Sequence, residues 1–149
     1  ARISASDEGV LGDGCMMAHG SYITDSDWHG LYDRVNRDST PKPVHLGDNV
    51  WLGDRSTVLK GVTIGDNSII AASSVVTTDV PANVIVAGNP AVIVRELDEN
   101  EPRYTRKDMF LNPAETQTYF DDLDKALLGD NSFWRWAINS LYPRSRPRQ

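Results

Sequence analysis

Residues 44–70 read VHLGDNVWLGDRSTVLKGVTIGDNSII, and one phrase occurs in them twice: Leu46-Gly47-Asp48-Asn49 returns as Ile64-Gly65-Asp66-Asn67, 18 residues later. Stepping by six from Leu46 gives Leu52, Val58, Ile64, Ile70 and Val76, all aliphatic. Four residues after each member stand Val50, Ser56, Val62, Ser68, Ser74 and Val80, all small or β-branched. A six-residue period fits neither an α-helix nor a long flat strand. It fits short strands joined by tight corners, with the aliphatic residue inward, a small residue inward near the corner, and Gly, Asp or Asn making the turn. Three such sides make one 18-residue coil, so like corners stack on like and each strand pairs with its counterparts in adjacent coils. The predicted fold is an all-β solenoid, a parallel β-helix of hexapeptide repeats.

Upstream, Ala5, Leu11, Met17 and Ile23 continue the same step, with Gly9, Cys15 and Ser21 at the small inward positions. The step fails once. Ile23 and Leu46 are 23 residues apart, and the polar interval TDSDWHGLYDRVNRDSTPKPVH reads as a loop, over about residues 24–43, extruded from a corner. How many hexads it hides is not fixed by the sequence. The pattern ends at about Leu97, which places a β-helix domain over 1–97 and a linker with a C-terminal helical extension over 98–149. In that extension, Asn112 and Pro113 open a first helix that ends at Leu128 before Gly129, and a second helix runs from Asn131 to Pro143. The apolar stripes of both helices are expected to pack on the solenoid or on a neighbouring subunit. The basic tail PRSRPRQ leaves a membrane-surface role for the second helix as an alternative.

The 149 residues carry a net charge of −6, which argues against nucleic acid as a general partner. One cysteine, Cys15, excludes an internal disulfide framework and fits a reducing compartment. No apolar run approaches the length of a membrane span and no secretory signal opens the chain, although it begins at Ala1 without Met. The expected location is cytoplasmic.

The stretch from PVHLGDNVWLGDRSTVLKGVTIGDNSII through AASSVVTTDVP to AGNPAVIVREL resembles the hexapeptide-repeat O-acetyltransferases, a left-handed β-helix family that includes maltose, galactoside and polysaccharide-modifying acetyltransferases. The left hand follows from this resemblance alone, since the usual crossover rule favours the right. The resemblance implies a homotrimer with active sites between solenoids, acetyl-CoA as co-substrate, no metal, and transfer of an acetyl group to a sugar or glycan hydroxyl. N-acetylation of an amino sugar and a catalytically silent scaffold are the alternatives.

The family's loop histidine falls on His29. A neutral imidazole can take the proton of an attacking hydroxyl and return it to the departing thiolate. Asp25, Asp27 and Asp33 flank it and are candidates to fix its tautomer. His19, near a corner, is the second candidate base, and His45 should face outward from a strand. By the resemblance, the cofactor contacts are Asp54, Ala72, Thr77, Thr78 and Arg95, with Trp51 beside the cofactor tunnel. Many relatives have Lys where Thr78 stands and a basic residue where Val92 stands, so Lys60, Arg55 or the C-terminal arginines are alternative phosphate anchors. Asp7 is a candidate acceptor contact by the same resemblance. Trp28, Tyr32 and Arg34 are candidate sugar contacts, or else pins that hold the loop to an adjacent subunit. Zinc held by three histidines, as in the gamma-class carbonic anhydrases that share this solenoid, is disfavoured because His19, His29 and His45 lack the closely spaced pair of that family. Cys15 occupies an inward position and reads as core filler.

Overall fold

The computed structural model describes residues 1–36, 40–129 and 132–141. Among the described residues, twelve strands, most of two or three residues, come first. They are β1 (Arg2–Ser4), β2 (Gly9–Leu11), β3 (Met16–Met17), β4 (Tyr22–Thr24), β5 (Val44–Leu46), β6 (Trp51–Leu52), β7 (Thr57–Val58), β8 (Thr63–Ile64), β9 (Ile69–Ile70), β10 (Val75–Val76), β11 (Val84–Gly88) and β12 (Ala91–Glu96). The chain deals these strands in rotation to three sheets: β1-β4-β7-β10, β2-β5-β8, and β3-β6-β9-β11 with β12 at its edge. Val80 extends the second sheet through a bridge to Ile64. Every pairing is parallel except β11 with β12, where the chain turns back on itself. His45 pairs with Thr63, Trp51 with Ile69 and Thr57 with Val75, each 18 residues on. A sheet visited once per coil and paired at that spacing is one wall of a three-sided solenoid.

All twelve inward positions from Leu46 to Val80 are buried, none more than 6% exposed. The aliphatic members stack into columns, such as Leu46 on Ile64 and Leu52 on Ile70. The inward serines pair with corner backbone: Ser56 Oγ donates to the Gly53 carbonyl at 2.8 Å and Ser68 Oγ to that of Pro81 at 2.7 Å. Small residues are needed there because the coil narrows at its corners, and a short hydroxyl can be satisfied locally.

The repeated Gly-Asp-Asn has a direct physical cause. The Asp66 carboxylate accepts the Asp48 N–H at 2.8 Å, and the Asp48 carboxylate accepts the Asp13 N–H at 2.7 Å, so each aspartate reaches one coil up. Asn49, Asn67 and Asn83 stack as an amide ladder, with Nδ2 to Oδ1 distances of 3.0 and 3.2 Å. Each sits at φ of 56–61°, the left-handed corner that asparagine tolerates. Gly47 leaves room for this: a Cβ there would lie 2.1 Å from Asp66 Oδ1.

Both contributions of the ladder can be measured. Asn67→Gly keeps the corner conformation and removes two amide bonds, for an expected loss of about 1 kcal/mol. Asn67→Ala adds the left-handed strain of a Cβ, for about 1–2 kcal/mol more. Equal midpoints for the two variants in denaturant titration would contradict this account.

Two expectations are corrected and one open question is answered. Ala5 is not an inward residue: Ile3 pairs with Ile23, and Ala5 is exposed. The first coil has two extra residues because 5–8 curl around the Asp25 carboxylate. Leu11 keeps its register against Leu46 but is 37% exposed, since it lies on the end coil with no rung above it. The extruded loop hides no hexad, because β4 and β5 occupy successive walls and the 23 residues from Ile23 to Leu46 replace a single corner step of six.

The chain divides into two compact units, residues 1–107 and 108–149. The helices are α1 (Arg106–Leu111), α2 (Pro113–Leu128) and α3 (Phe133–Leu141). Pro113 opens α2, but Asn112 makes no side-chain capping bond. Tyr119 and Phe120 meet edge to face within α2, and no residue of α2 is buried. The start of the second helix expected at Asn131, its end at Pro143, and the basic tail lie outside the described residues. No helix among the described residues is long and apolar enough to cross a membrane.

Candidate active site

Each wall joins the next along an edge, and the candidate residues sort by edge. The loop edge, between the β4 and β5 walls, carries Asp7 in the first coil, the extruded loop in the next, then Lys60 and then Thr77 and Thr78. The edge between the β6 and β7 walls carries His19, Asp54 and Ala72 one above another. Arg55 N–H donates to the His19 carbonyl at 3.0 Å, and Ser73 N–H to that of Asp54 at 2.8 Å. Trp51, Asp54 and Ala72 border one open groove of about 400 Å³, whose other walls include Ala18, Gly53 and Ile69. The groove is mainly apolar and backbone-lined, which suits a flexible amide-bearing chain. Arg95 lies on β12, opposite Ile85. The structure therefore brings Trp51, Asp54 and Ala72 together, places Arg95 on the same wall in the cross-strand row Trp51–Ile69–Ile85–Arg95, and leaves Thr77 and Thr78 on the loop edge.

His29 stands on the exposed loop. Among the described residues it has no hydrogen-bond partner, and the three nearby carboxylates have partners other than its imidazole. Asp25 is buried, 1% exposed, and accepts the backbone N–H groups of Ser6, Asp7 and Glu8 at 2.7–3.1 Å. Asp27 pairs with Lys60. Asp33 accepts from Val35 and Asn36 within the loop.

Trp28 hooks the loop to its own wall. Its indole N–H donates to Thr24 Oγ1 at 3.2 Å and its backbone N–H to Ser26 Oγ at 3.1 Å. Its φ of 65° is the left-handed region that a bulky residue avoids, and such geometry marks an over-determined segment. Tyr32 and Arg34 are exposed. Asp7 reaches the site through its N–H, while its side chain stays exposed beside the loop root.

Burial alone would raise the Asp25 carboxyl, but the N–H groups of Asp7, Ser6 and Glu8 outweigh it and hold its pKa below the ordinary 3.8. A lowered folded value means stability that is complete above the unfolded pKa and lost as pH falls through the folded one. Wild type should therefore exceed Asp25→Asn in stability by a constant margin at pH 5–8, and the margin should shrink below about pH 3.8. Thermal melts across pH 2–8 measure it. A margin that grows toward low pH would contradict the sign.

His45, in the middle of β5, faces outward. The three histidines thus occupy two different edges and one wall. The Cys15 thiol is pushed up by burial and lies 3.2 Å from the Gly47 carbonyl, which fits core filling. A second cavity, about 290 Å³, lies across Trp51 from the groove and is lined by Met16, Ile69, Arg103 and Tyr104. Arg103 was not singled out by sequence because it sits in a charged, linker-like run. It donates to Asn83 Oδ1 at 2.6 Å and to the Asp98 carbonyl at 3.2 Å, capping the amide ladder.

A three-walled parallel solenoid with asparagine-laddered corners, one extruded histidine loop and an apolar edge groove defines the class. Residues 43–78 match the model of the bacterial transferase hexapeptide, six repeats. Over 75 residues, half of this chain and 37% of the relative, the sequence is 44% identical to galactoside O-acetyltransferase of Escherichia coli (strain K12). It is 49% identical over 63 residues to a putative acetyltransferase of Saccharomyces cerevisiae (strain ATCC 204508 / S288c), covering 42% of this chain and 32% of that protein. The chain thus spans about a third of the length of the curated relatives it matches. A galactoside acetyltransferase in complex with coenzyme A superposes with a TM-score of 0.58 and 30% identity, over 69% of this chain and 56% of that one. A polysialic acid O-acetyltransferase gives 0.58 and 31%, over 77% and 57%. In sequence over residues 43–78 and in fold, the solenoid is similar to hexapeptide-repeat acetyltransferases.

Proposed function

We propose that this protein is an acetyl-CoA-dependent O-acetyltransferase acting on a hydroxyl of a sugar or glycan precursor, with His29 as general base. The observation that carries the reading is the groove bordered by Trp51, Asp54 and Ala72, on a solenoid whose structural relative binds coenzyme A. The small Ala72 side chain and nearby backbone admit a pantetheine arm. Thr77, Thr78 and Arg95 are assigned to the outer part of the cofactor, and Asp7, Trp28, Tyr32 and Arg34 to the acceptor side.

The histidine loop and the groove lie on different edges of one protomer, separated by a wall about 20 Å wide at most. A neighbouring protomer that supplied one of them would bring loop and groove together. This favours a homotrimer of left-handed β-helices with a site at each interface, each built from two copies. The β-helix domain over 1–97 carries the chemistry, and the extension over 98–149 follows it in the chain. A cytoplasmic location accords with the single thiol.

In the reaction, the His29 imidazole takes the acceptor's proton as its oxygen bonds to the thioester carbonyl carbon. Corner N–H groups stabilise the resulting oxyanion. Collapse breaks the carbon–sulfur bond, and the imidazolium returns the proton to the CoA thiolate. No acyl-enzyme and no metal is required. Thiol release from acetyl-CoA across a panel of sugars and amino sugars tests the reading. Acceptor-dependent release with hydroxyl-only sugars supports it, release only with amino sugars assigns N-acetylation, and no release with any acceptor favours the scaffold.

A further inference from the structure

Lys60 lies at the loop-edge corner one coil below the extruded loop and touches both of its limbs. Its ammonium pairs with Asp27 on the outgoing limb and donates to the Thr40 carbonyl, 3.4 Å away, on the returning limb. The adjacent Gly61 N–H donates to the Lys42 carbonyl at 3.1 Å, and Lys42 N–H to that of Asp25 at 2.8 Å. The neck of the loop is thereby closed from the body of the solenoid.

The anchors end one residue before His29. Thr24, Asp25, Ser26, Asp27 and Trp28 are each held by a hydrogen bond or an ion pair. Beyond His29, Leu31 is 80% exposed and Val35 is 91% exposed, and among the described residues Asp33 bonds within the loop. The position of the imidazole is thus inherited from Asp27 and Trp28. The Asp25 and Trp28 anchors tie the loop to its own root and to the first coil. Lys60 is the side chain that fixes it to the coil below.

We propose that Lys60 is a positioning residue, a clasp that joins both limbs of the loop and sets the place of His29 for catalysis. The inference rests on the reading of His29 as base. A half-exposed ion pair adds little to global stability, so its role should show in geometry rather than in Tm. A displaced base loses rate steeply, because proton transfer needs a near-attack arrangement.

The test compares Lys60→Met, Asp27→Asn, the double variant and Lys60→Arg with wild type, by steady-state kinetics and by trypsin cleavage after the loop residue Arg34. The expected result is a kcat lowered roughly tenfold to a hundredfold in both single variants. The double variant should be no worse than either, since both remove one interaction. KM for acetyl-CoA and Tm should hold, cleavage after Arg34 should accelerate in Lys60→Met and Asp27→Asn, and Lys60→Arg should behave like wild type. A raised KM for acetyl-CoA in Lys60→Met alone would make Lys60 a phosphate contact and overturn the clasp, as would unchanged kcat or unchanged cleavage in both single variants. An inactive wild type would remove the reading of His29, while the trypsin comparison still judges the clasp by itself.

Discussion

His29→Ala is expected to lower kcat for acetyl transfer about 10²–10⁴-fold, with little change in KM for acetyl-CoA and none in Tm. The imidazole is exposed and bonds to no described residue, so its removal leaves packing and hydrogen bonds intact. What disappears is the proton acceptor, without which a sugar hydroxyl attacks a thioester poorly at neutral pH. His19→Ala is the control. His19 is stacked over Asp54 and Ala72 through backbone contacts, and its loss should leave kcat within about threefold. Steady-state thiol release on both variants decides between the two histidines. A larger loss in His19→Ala would move the base to the groove's own edge and put both halves of the site on one chain.

The largest effect on stability is expected at the centre of the solenoid. Ile64 is 0% exposed and stacks between Leu46 above and Val80 below. Ile64→Ala removes buried carbon and leaves a cavity that β8, pinned between its neighbours in the wall, cannot close, for an expected cost of about 2–5 kcal/mol. The same truncation at Leu11, on the exposed end coil, should cost well under half as much. Denaturant midpoints for the two variants measure the difference. Equal costs would show that the end coil is covered in solution.

The repeat was legible because each coil imposes the same demand on the same position. Leu46, Leu52, Val58, Ile64, Ile70 and Val76 had to be aliphatic, and one inward residue per side had to be small. The Asp48–Asp66 and Asn49–Asn67 pairs recur since a side chain reaching one coil up needs a like partner there. At the ends this logic weakens. Ala5 satisfied the period, but the curl of 5–8 around Asp25 shifted the register by two, and a nest of N–H groups leaves no trace in side-chain spacing.

The site was less legible for a related reason. His29, Asp25 and Asp27 are neighbours in sequence, which suggested a tautomer-fixing cluster. The structure sends the two carboxylates to partners 17–33 residues away, Ser6–Glu8 and Lys60. Sequence proximity on a loop does not give direction. Residues held by regular geometry fared differently: Trp51, Asp54 and Ala72 occupy fixed places on wall and corner, and they do meet in one groove.

Two variants, each disabling one half of the site, test the account most directly when combined. Ala72→Trp fills the groove and His29→Ala removes the base, so each alone should be inactive. Co-expressed in equal amounts, they should restore activity to about one site in four, because a quarter of random neighbours pair an intact loop with an intact groove. Mixed assemblies that stay as inactive as their parents would contradict a site shared between protomers.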